Sequence, residues 1–237
     1  MTVREFDTHQ GIYSFEITNF NAALHSHPAV EIIVATEGSF STLTSDSNHA
    51  DITFAVIDTN VPHKVLADGC QLRLLMVEHQ DSWIKAALAQ YKISIKNGVY
   101  IENSANDRLA LLEYLEQAAR QVNATKTYDE RVNVCLDFLE NQDIEYNSMI
   151  KVLQDKTHLS ESRLSHLFKE NVGISLKKYR AWCRLKKTIA LVLENHDSLF
   201  SASLSCGFYD QAHFSKTFKE RLGISPSEVY NSRTLQE

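Results

Sequence analysis

The sequence predicts an α+β chain in three parts. A small β-barrel or sandwich is expected over residues 1–80, a helical connector over about 81–143, and an all-α C-terminal domain over 144–237. Three observations predict this. Short branched and aromatic runs, separated by Gly, Asn, Asp and Ser, fill the stretch from about Ile12 to His79. Near residue 80 the hydrophobic period changes from 2 to 3.6. Between Leu159 and Tyr230 one short helical pattern occurs twice.

With 237 residues, 43% of them hydrophobic, the chain can bury real cores in one large domain or two ordinary ones. Apolar runs such as Phe54–Ile57 and Leu74–Val77 fall far short of the roughly 20 residues needed to cross a bilayer. The opening MTVREFDTHQ is polar and acidic, without the apolar stretch of a secretory signal, so a cytoplasmic protein with no membrane partner is expected. Cys70, Cys135, Cys183 and Cys206 are irregularly spaced, with no pair at metal-ligand or redox spacing, and read as buried reduced thiols.

In the first part the strand-like runs are Glu31–Ala35, Ile52–Ile57 and Gln71–Val77. Several short strands in about 70 residues suit a small barrel or sandwich. In the connector, Asn106–Val122 places Leu109, Leu112, Leu115, Ala119 and Val122 on one helical stripe, and Tyr128–Leu139 repeats the habit with Val132, Cys135, Leu136 and Leu139. The connector is expected either to pack within its own chain or to form a dimer contact.

The doubled pattern reads LSESRLSHLFKENVGIS at 159–175 and YDQAHFSKTFKERLGIS at 209–225, with Phe168-Lys169 and Phe218-Lys219 in register. In the first copy Ser160 is a good N-cap, and Leu164, Leu167 and Phe168 fall at i, i+3 and i+4, so they point inward together. Ser162, Arg163, Ser165, His166 and Lys169 are left facing out. A preceding helix over about Glu145–Asp155 supplies Met149, Val152 and Leu153, and a short turn joins the two. One such pair is an ordinary αα-hairpin by default. Small polar and basic residues on the outward face, however, suit a helix-turn-helix: base edges for the small groups, phosphate for Lys169. In the second copy Leu199–Ser205 is the first helix, Cys206-Gly207-Phe208 the turn, and Asp210 the cap. Phe214 and Phe218 are expected inside; Gln211, Ala212, His213, Ser215, Lys216 and Lys219 outside. Between the copies, Ser175–Asn195 reads as a helix with Tyr179, Trp182, Leu185, Ile189 and Leu193 on its apolar stripe. About twenty helical residues span roughly 30 Å, close to one turn of B-DNA.

The net charge of −6 argues against nucleic acid if read globally, but its distribution reverses that. Residues 1–129 hold 9 basic and 16 acidic groups, giving −7, whereas residues 151–189 hold 10 basic and 3 acidic, giving +7. A cationic block in an acidic chain is what attraction to phosphate requires.

The region from about 145 to 231 resembles the DNA-binding domain of AraC/XylS-type transcription regulators. The resemblance rests on LSESRLSHLFKENVGIS followed by Tyr179 and Arg184-Leu185, then Cys206-Gly207-Phe208, Asp210 to Lys219, and Gly223-Ile224-Ser225-Pro226-Ser227. In that family both second helices enter the major groove. The resemblance therefore implies base-facing positions for Ser162, Arg163, Ser165 and His166, and for Gln211, Ala212, Ser215 and Lys216, with Lys169 and Lys219 beside them. It also implies double-stranded DNA as partner, and RNA polymerase, a small-molecule effector and a second copy of the chain as further candidates. One departure is Ala202-Ser203 where the family usually has Ile-Ala. Residues 190–237 also carry 4 basic and 6 acidic groups, so the second unit is expected to hold DNA more weakly than the first.

The N-terminal part holds a second constellation: His25, His27 and Glu31, six further residues and Gly38, then His63 after Val61-Pro62. His25, His27 and Glu31 share odd parity, which puts them on one face of a continuous strand, although Pro28 interrupts it. Three imidazoles and a carboxylate are a plausible set for zinc, nickel, manganese or iron(II). The spacing resembles the first motif of the cupin superfamily, and Asp58–His63 resembles its second, with Asn60 where left-handed geometry is needed. This resemblance implies a cupin-like sensor barrel that either binds a divalent transition metal or only lines a pocket with its histidines. The sequence thus reads as a non-enzymatic, sequence-specific DNA-binding transcription regulator. The competing reading is a metal-dependent cupin enzyme with a helical assembly tail.

Overall fold

The computed structural model describes residues 1–78, 82–103, 108–121, 128–195 and 198–230. The chain forms two compact units, Met1–Thr125 together with Phe218–Glu237, and Lys126–Thr217.

The first unit is a barrel-like antiparallel sheet. Its strands are β1 (Thr2–Asp7), β2 (Ile12–His25), β3 (Ala29–Glu37), β4 (Phe40–Thr44), β5 (Asn48–Ile52), β6 (Phe54–Ile57), β7 (His63–Glu78) and β8 (Val99–Glu102). They run in the order β1-β2-β7-β3-β6-β8, with β4 pairing both β5 and β7. The run expected over Ile52–Ile57 is broken at Thr53, and the two pieces pair with different strands, β5 with β4 and β6 with β3 and β8. The long ribbon β2/β7 shifts register between Thr18 and Phe20 and again between Ala22 and His25. Such bulges sharpen twist and bend the strands, which lets one ribbon serve β4 at one end and β3 at the other.

In β3 alternation decides the chemistry of each face. Val30, Ile32 and Val34 join a core cluster with Phe54, Val56, Leu75 and Val77, closed by Ile84 and Leu88 of α1 (Ser82–Gln90) and by α2 (Arg108–Gln121). Glu31, between them, points the other way and is as buried as they are. The stripe of α2 is rotated from the expected one: Leu111, Leu112, Leu115, Glu116 and Ala119 are buried, whereas Leu109 is exposed. Val122, Asn106 and the turning point near residue 80 lie outside the described residues. A buried polar clasp ties α2 to the sheet. Arg73 on β7 donates to both carboxylate oxygens of Glu116 at 2.9 and 3.1 Å, and Ser14 donates to the same carboxylate.

The stretch 81–143, expected to be a helical connector, also contributes a strand. β8 pairs with β6 from Ile57↔Val99 to Phe54↔Glu102. Its helices divide between the units, α1 and α2 lying on the sheet and α3 (Glu130–Asn141) packing in the second unit, because their apolar stripes meet different partners.

The second unit is all helical. After α3 come α4 (Tyr146–Thr157), α5 (Glu161–Val172), α6 (Leu176–Asn195), α7 (Leu199–Ser205) and α8 (Gln211–Leu222), which crosses the division at Phe218; α9 (Pro226–Tyr230) follows. Local chemistry sets the boundaries. Ser160 accepts from the Arg163 amide, Ser198 from Ser201 and Asp210 from His213, each a side-chain N-cap at the third following residue. The repeated glycines end the repeated helices: Gly173 (φ 82°) and Gly223 (φ 74°) donate to the carbonyls of Lys169 and Lys219. Ser225 then starts α9 as a capping box, with Pro226 in the first turn and the Glu228 carboxylate accepting from the Ser225 amide at 2.5 Å. Cys70, Cys135, Cys183 and Cys206 are buried and unlinked.

Candidate DNA-reading helices and a buried histidine–glutamate cluster

The first two-helix unit is α4 and α5, joined through His158 in the left-handed conformation (φ 55°). Met149, Ile150 and Leu153 of α4 and Leu164 and Phe168 of α5 are buried, with Phe168 edge-on to Tyr179 at 5.7 Å. Leu167 is only half-buried. On the other side of α5 the structure places Ser162, Arg163, His166 and Lys169 in solvent, with Ser165 half-exposed, so the row expected to face outward does so. His166 lies 3.6 Å from Glu170 one turn along.

The second unit is α7 and α8. Phe208 and Phe214 pack edge to face at 5.2 Å, and Phe214 and Phe218 are buried. Gln211, Ala212, His213, Lys216 and Lys219 are exposed and Ser215 half-exposed. The departure at Ala202-Ser203 falls inside: both residues are buried, and Ser203 satisfies its hydroxyl by donating to Phe200 O at 2.8 Å. Smaller side chains are therefore accommodated in this core rather than displayed.

Three cations of the basic block are not available to a ligand. Arg180 and Arg184 of α6 both grip Asp143, at 3.0 and 2.9 Å, and Arg180 also donates to Ile144 O. Lys186 is buried beside the Trp182 ring. The exposed members are Lys151 and Lys156 of α4, Arg163 and Lys169 of α5, and Lys177 and Lys178 in the first turn of α6, all around the first reading helix. The Asp143 clasp also seats the second turn. A side chain at Gly207 (φ 81°) would run into the Asp143 carboxylate and come within 2.7 Å of the Arg184 guanidinium. Residues this far apart carry no common signal in the sequence, so the clasp was not foreseen.

In the sheet unit, His25 ends β2, His27 sits in the turn that follows, Glu31 is in β3 and His63 opens β7. Pro28 does break the strand, yet the four side chains converge, all 5% exposed or less, with candidate ligand atoms within 4.8 Å of one another. Their backbone supports are specific. His25, His27 and His63 each place Nδ1 against a carbonyl, Ala23 O at 2.9 Å, Ala29 O at 3.1 Å and Val61 O at 2.8 Å. A carbonyl only accepts, so these contacts hold the hydrogen on Nδ1 and leave Nε2 as the inward atom. Asn60 takes the left-handed geometry (φ 59°) and donates its amide to His27 O at 2.8 Å, which pins the His27 turn to the loop carrying His63.

His63 Nε2 lies 2.8 Å and His27 Nε2 3.7 Å from Glu31 Oε2. With Nδ1 carrying each ring hydrogen, a proton or a metal ion must sit between these atoms for so short an approach to be favourable. The electrostatics agree. Burial pushes His25 down to about 3, aided by the charges of His63 and His27. For Glu31 burial acts upward, but the His63 charge and the hydrogen bonds from His27 and His63 hold its carboxyl well below the usual range. Burial acts downward on His63, and the Glu31 charge and hydrogen bond outweigh it, raising it. An anion and three imidazoles in a buried site form a donor set suited to a divalent transition metal.

Residues 153–232 match the helix-turn-helix domain family. Over 100 residues the chain is 33% identical to the arabinose operon regulatory protein of Escherichia coli K12, covering 42% of this chain and 34% of that protein. Over 141 residues it is 27% identical to the transcriptional activator RhaS of Escherichia fergusonii, covering 59% and 50%. The C-terminal part of the chain is thus similar to the helix-turn-helix regions of these regulators. The chain spans half or less of the length of these curated relatives. The likeness to solved structures is one of fold. ToxT from Vibrio cholerae matches over 92% of this chain and 95% of its own, with a TM-score of 0.57 at 11% identity. The unsaturated-fatty-acid-bound form of ToxT gives 0.56 at 12%, covering 95% of this chain and 96% of its own.

Proposed function

We propose that this chain is a sequence-specific DNA-binding transcription regulator whose barrel senses a small molecule or metal. The carrying observation is the pair of two-helix units, each with a side-chain-capped second helix, buried aromatic residues on one face and an exposed polar and basic row on the other. Ser162, Arg163, Ser165 and His166, with Gln211, Ala212, Ser215 and Lys216, are assigned to base edges; Lys169 and Lys219 are assigned to phosphate. Residues of α6 support this assignment by length, twenty residues or about 30 Å between the two units. RNA polymerase, a small-molecule effector and a second copy of the chain are the further partners this reading implies.

His25, His27, Glu31 and His63 are the residues that would hold a divalent first-row transition metal, such as zinc, nickel, manganese or iron(II). Bound there, it would supply a fixed positive charge linking β2, β3 and β7. The chain's own part is to fix three imidazole tautomers through Ala23, Ala29 and Val61, and to exclude water.

Selection of bound genomic fragments tests the DNA reading: enrichment of a site with two boxes about ten base pairs apart is expected. Binding indifferent to sequence and to salt would sink it. Elemental analysis of protein purified without chelator, beside Glu31→Ala, tests the metal. Turnover of a small substrate by a bound redox metal, with no operator recovered, would favour a cupin enzyme.

A further inference from the structure

We infer that the segment from Glu220 to Gly223 is a latch on the histidine end of the barrel, so that cation binding at the cluster and docking of this segment stabilise one another. The inference rests on the metal reading above and adds its regulation. Within the first unit, three hydrogen bonds grip β2 and the turn after it on both sides of His25. Ala23 donates its amide to Gly223 O at 2.8 Å, Ser26 donates its amide to Glu220 O at 3.3 Å, and Arg221 Nη1 donates to Ser26 O at 3.1 Å. Arg221 is buried for this purpose, with its Nε left without a hydrogen-bond partner among the described residues. So costly a burial of a guanidinium marks a contact with a role.

Gly223 makes the approach possible. A Cβ there would lie 2.7 Å from His25 Nδ1, 2.7 Å from Ala22 Cβ and 2.8 Å from Ala23 O, on a backbone at φ 74°. The glycine therefore rests on the outer edge of the His25 ring, while the inner edge faces His27, His63 and Glu31. A cation that holds His25 Nε2 fixes the plane of that ring and completes the flat seat under Gly223. Three of the four residues are the end of α8 and Gly223 follows it directly; the other end of the helix carries Gln211 and Ala212. Occupancy of the cluster is thus placed to tune how firmly the second reading helix is held. Linkage requires the converse: loosening the latch must weaken the metal by the same factor.

The test uses the full chain with Co²⁺, whose visible absorption reports binding, and with Zn²⁺ and chelator for comparison. Hydrogen–deuterium exchange is followed over residues 219–225 in the wild type, Arg221→Gln and Gly223→Val. Metal is expected to slow exchange in this segment, and both variants to bind Co²⁺ about tenfold more weakly, within the usual range of coupling between sites. Metal is also expected to change affinity for two-box DNA more than for first-box DNA. If Co²⁺ does not bind, the cluster reading falls and the latch with it. If Co²⁺ binds with one equivalent while exchange at 219–225 and the affinity of Arg221→Gln are unchanged, the cluster stands and the latch is refuted. Should Gly223→Val fail to fold, wild-type exchange and Arg221→Gln decide the matter.

Discussion

Arg163 and Lys169 are both exposed on α5, within two turns of each other, and the proposed DNA reading assigns them different work. A guanidinium that reads a base edge discriminates by about 1–3 kcal/mol, whereas an ammonium on phosphate adds affinity without information. Arg163→Ala is therefore expected to relax preference at one or two base pairs of the first box. Lys169→Ala should weaken every sequence alike and lower the salt slope by about one, which titrations at several salt concentrations would resolve. At the barrel end, Glu31 is the lone carboxylate among three imidazoles in the cluster. Glu31→Gln keeps the shape and removes the negative charge. The expected outcome is loss of stoichiometric metal with little change in first-box binding, read by elemental analysis and by fluorescence anisotropy.

Single contacts decide whether whole elements stay in place. Phe168 is wholly buried and joins α5 to α6 through Tyr179, so Phe168→Ala should cost about 3–5 kcal/mol in urea unfolding and abolish binding to the first box. The turn between α7 and α8 is set by Gly207, where a positive φ and the Asp143–Arg184 clasp leave no room for a side chain. Gly207→Ala is expected to lose about 1–3 kcal/mol from backbone strain, and more from displacement of the clasp, with second-box affinity falling before first-box affinity. On the sheet, Arg73→Leu would leave the buried Glu116 carboxylate without its cation and should destabilise by about 3–5 kcal/mol. The double change with Glu116→Leu should recover much of that loss, because an apolar pair of similar volume needs no desolvation.

At the scale of the molecule, the exposed positive charge of the basic block is confined to a few elements. The exposed cations of the basic block belong to α4, α5 and the first turn of α6, while Arg180, Arg184, Lys186 and Arg221 are spent on internal contacts. The helix pair α4 and α5, with the start of α6, is therefore expected to supply most of the salt-dependent affinity. Sites carrying the first box alone should show nearly the full salt slope, and adding the second box should raise affinity mainly through base contacts, a difference that gel-shift titrations would measure.

Periodicity and end signals are local, and for that reason the sequence placed the helices of the C-terminal domain to within a residue or two. Ser160 and Asp210 cap where they were expected to, and the repeated Gly-Ile-Ser marks the same stop twice. Parity and spacing likewise brought His25, His27, Glu31 and His63 under suspicion as a set. Tertiary structure alone decided the rest: that the four converge despite Pro28, that β8 leaves the connector for the sheet, and that Leu111 rather than Leu109 faces inward. It also decided which cations are displayed and which are consumed, and that Gly223 meets the back of His25. Those outcomes depend on pairs brought together from distant parts of the chain, where burial, clash and charge are settled by the neighbour and no residue announces its partner.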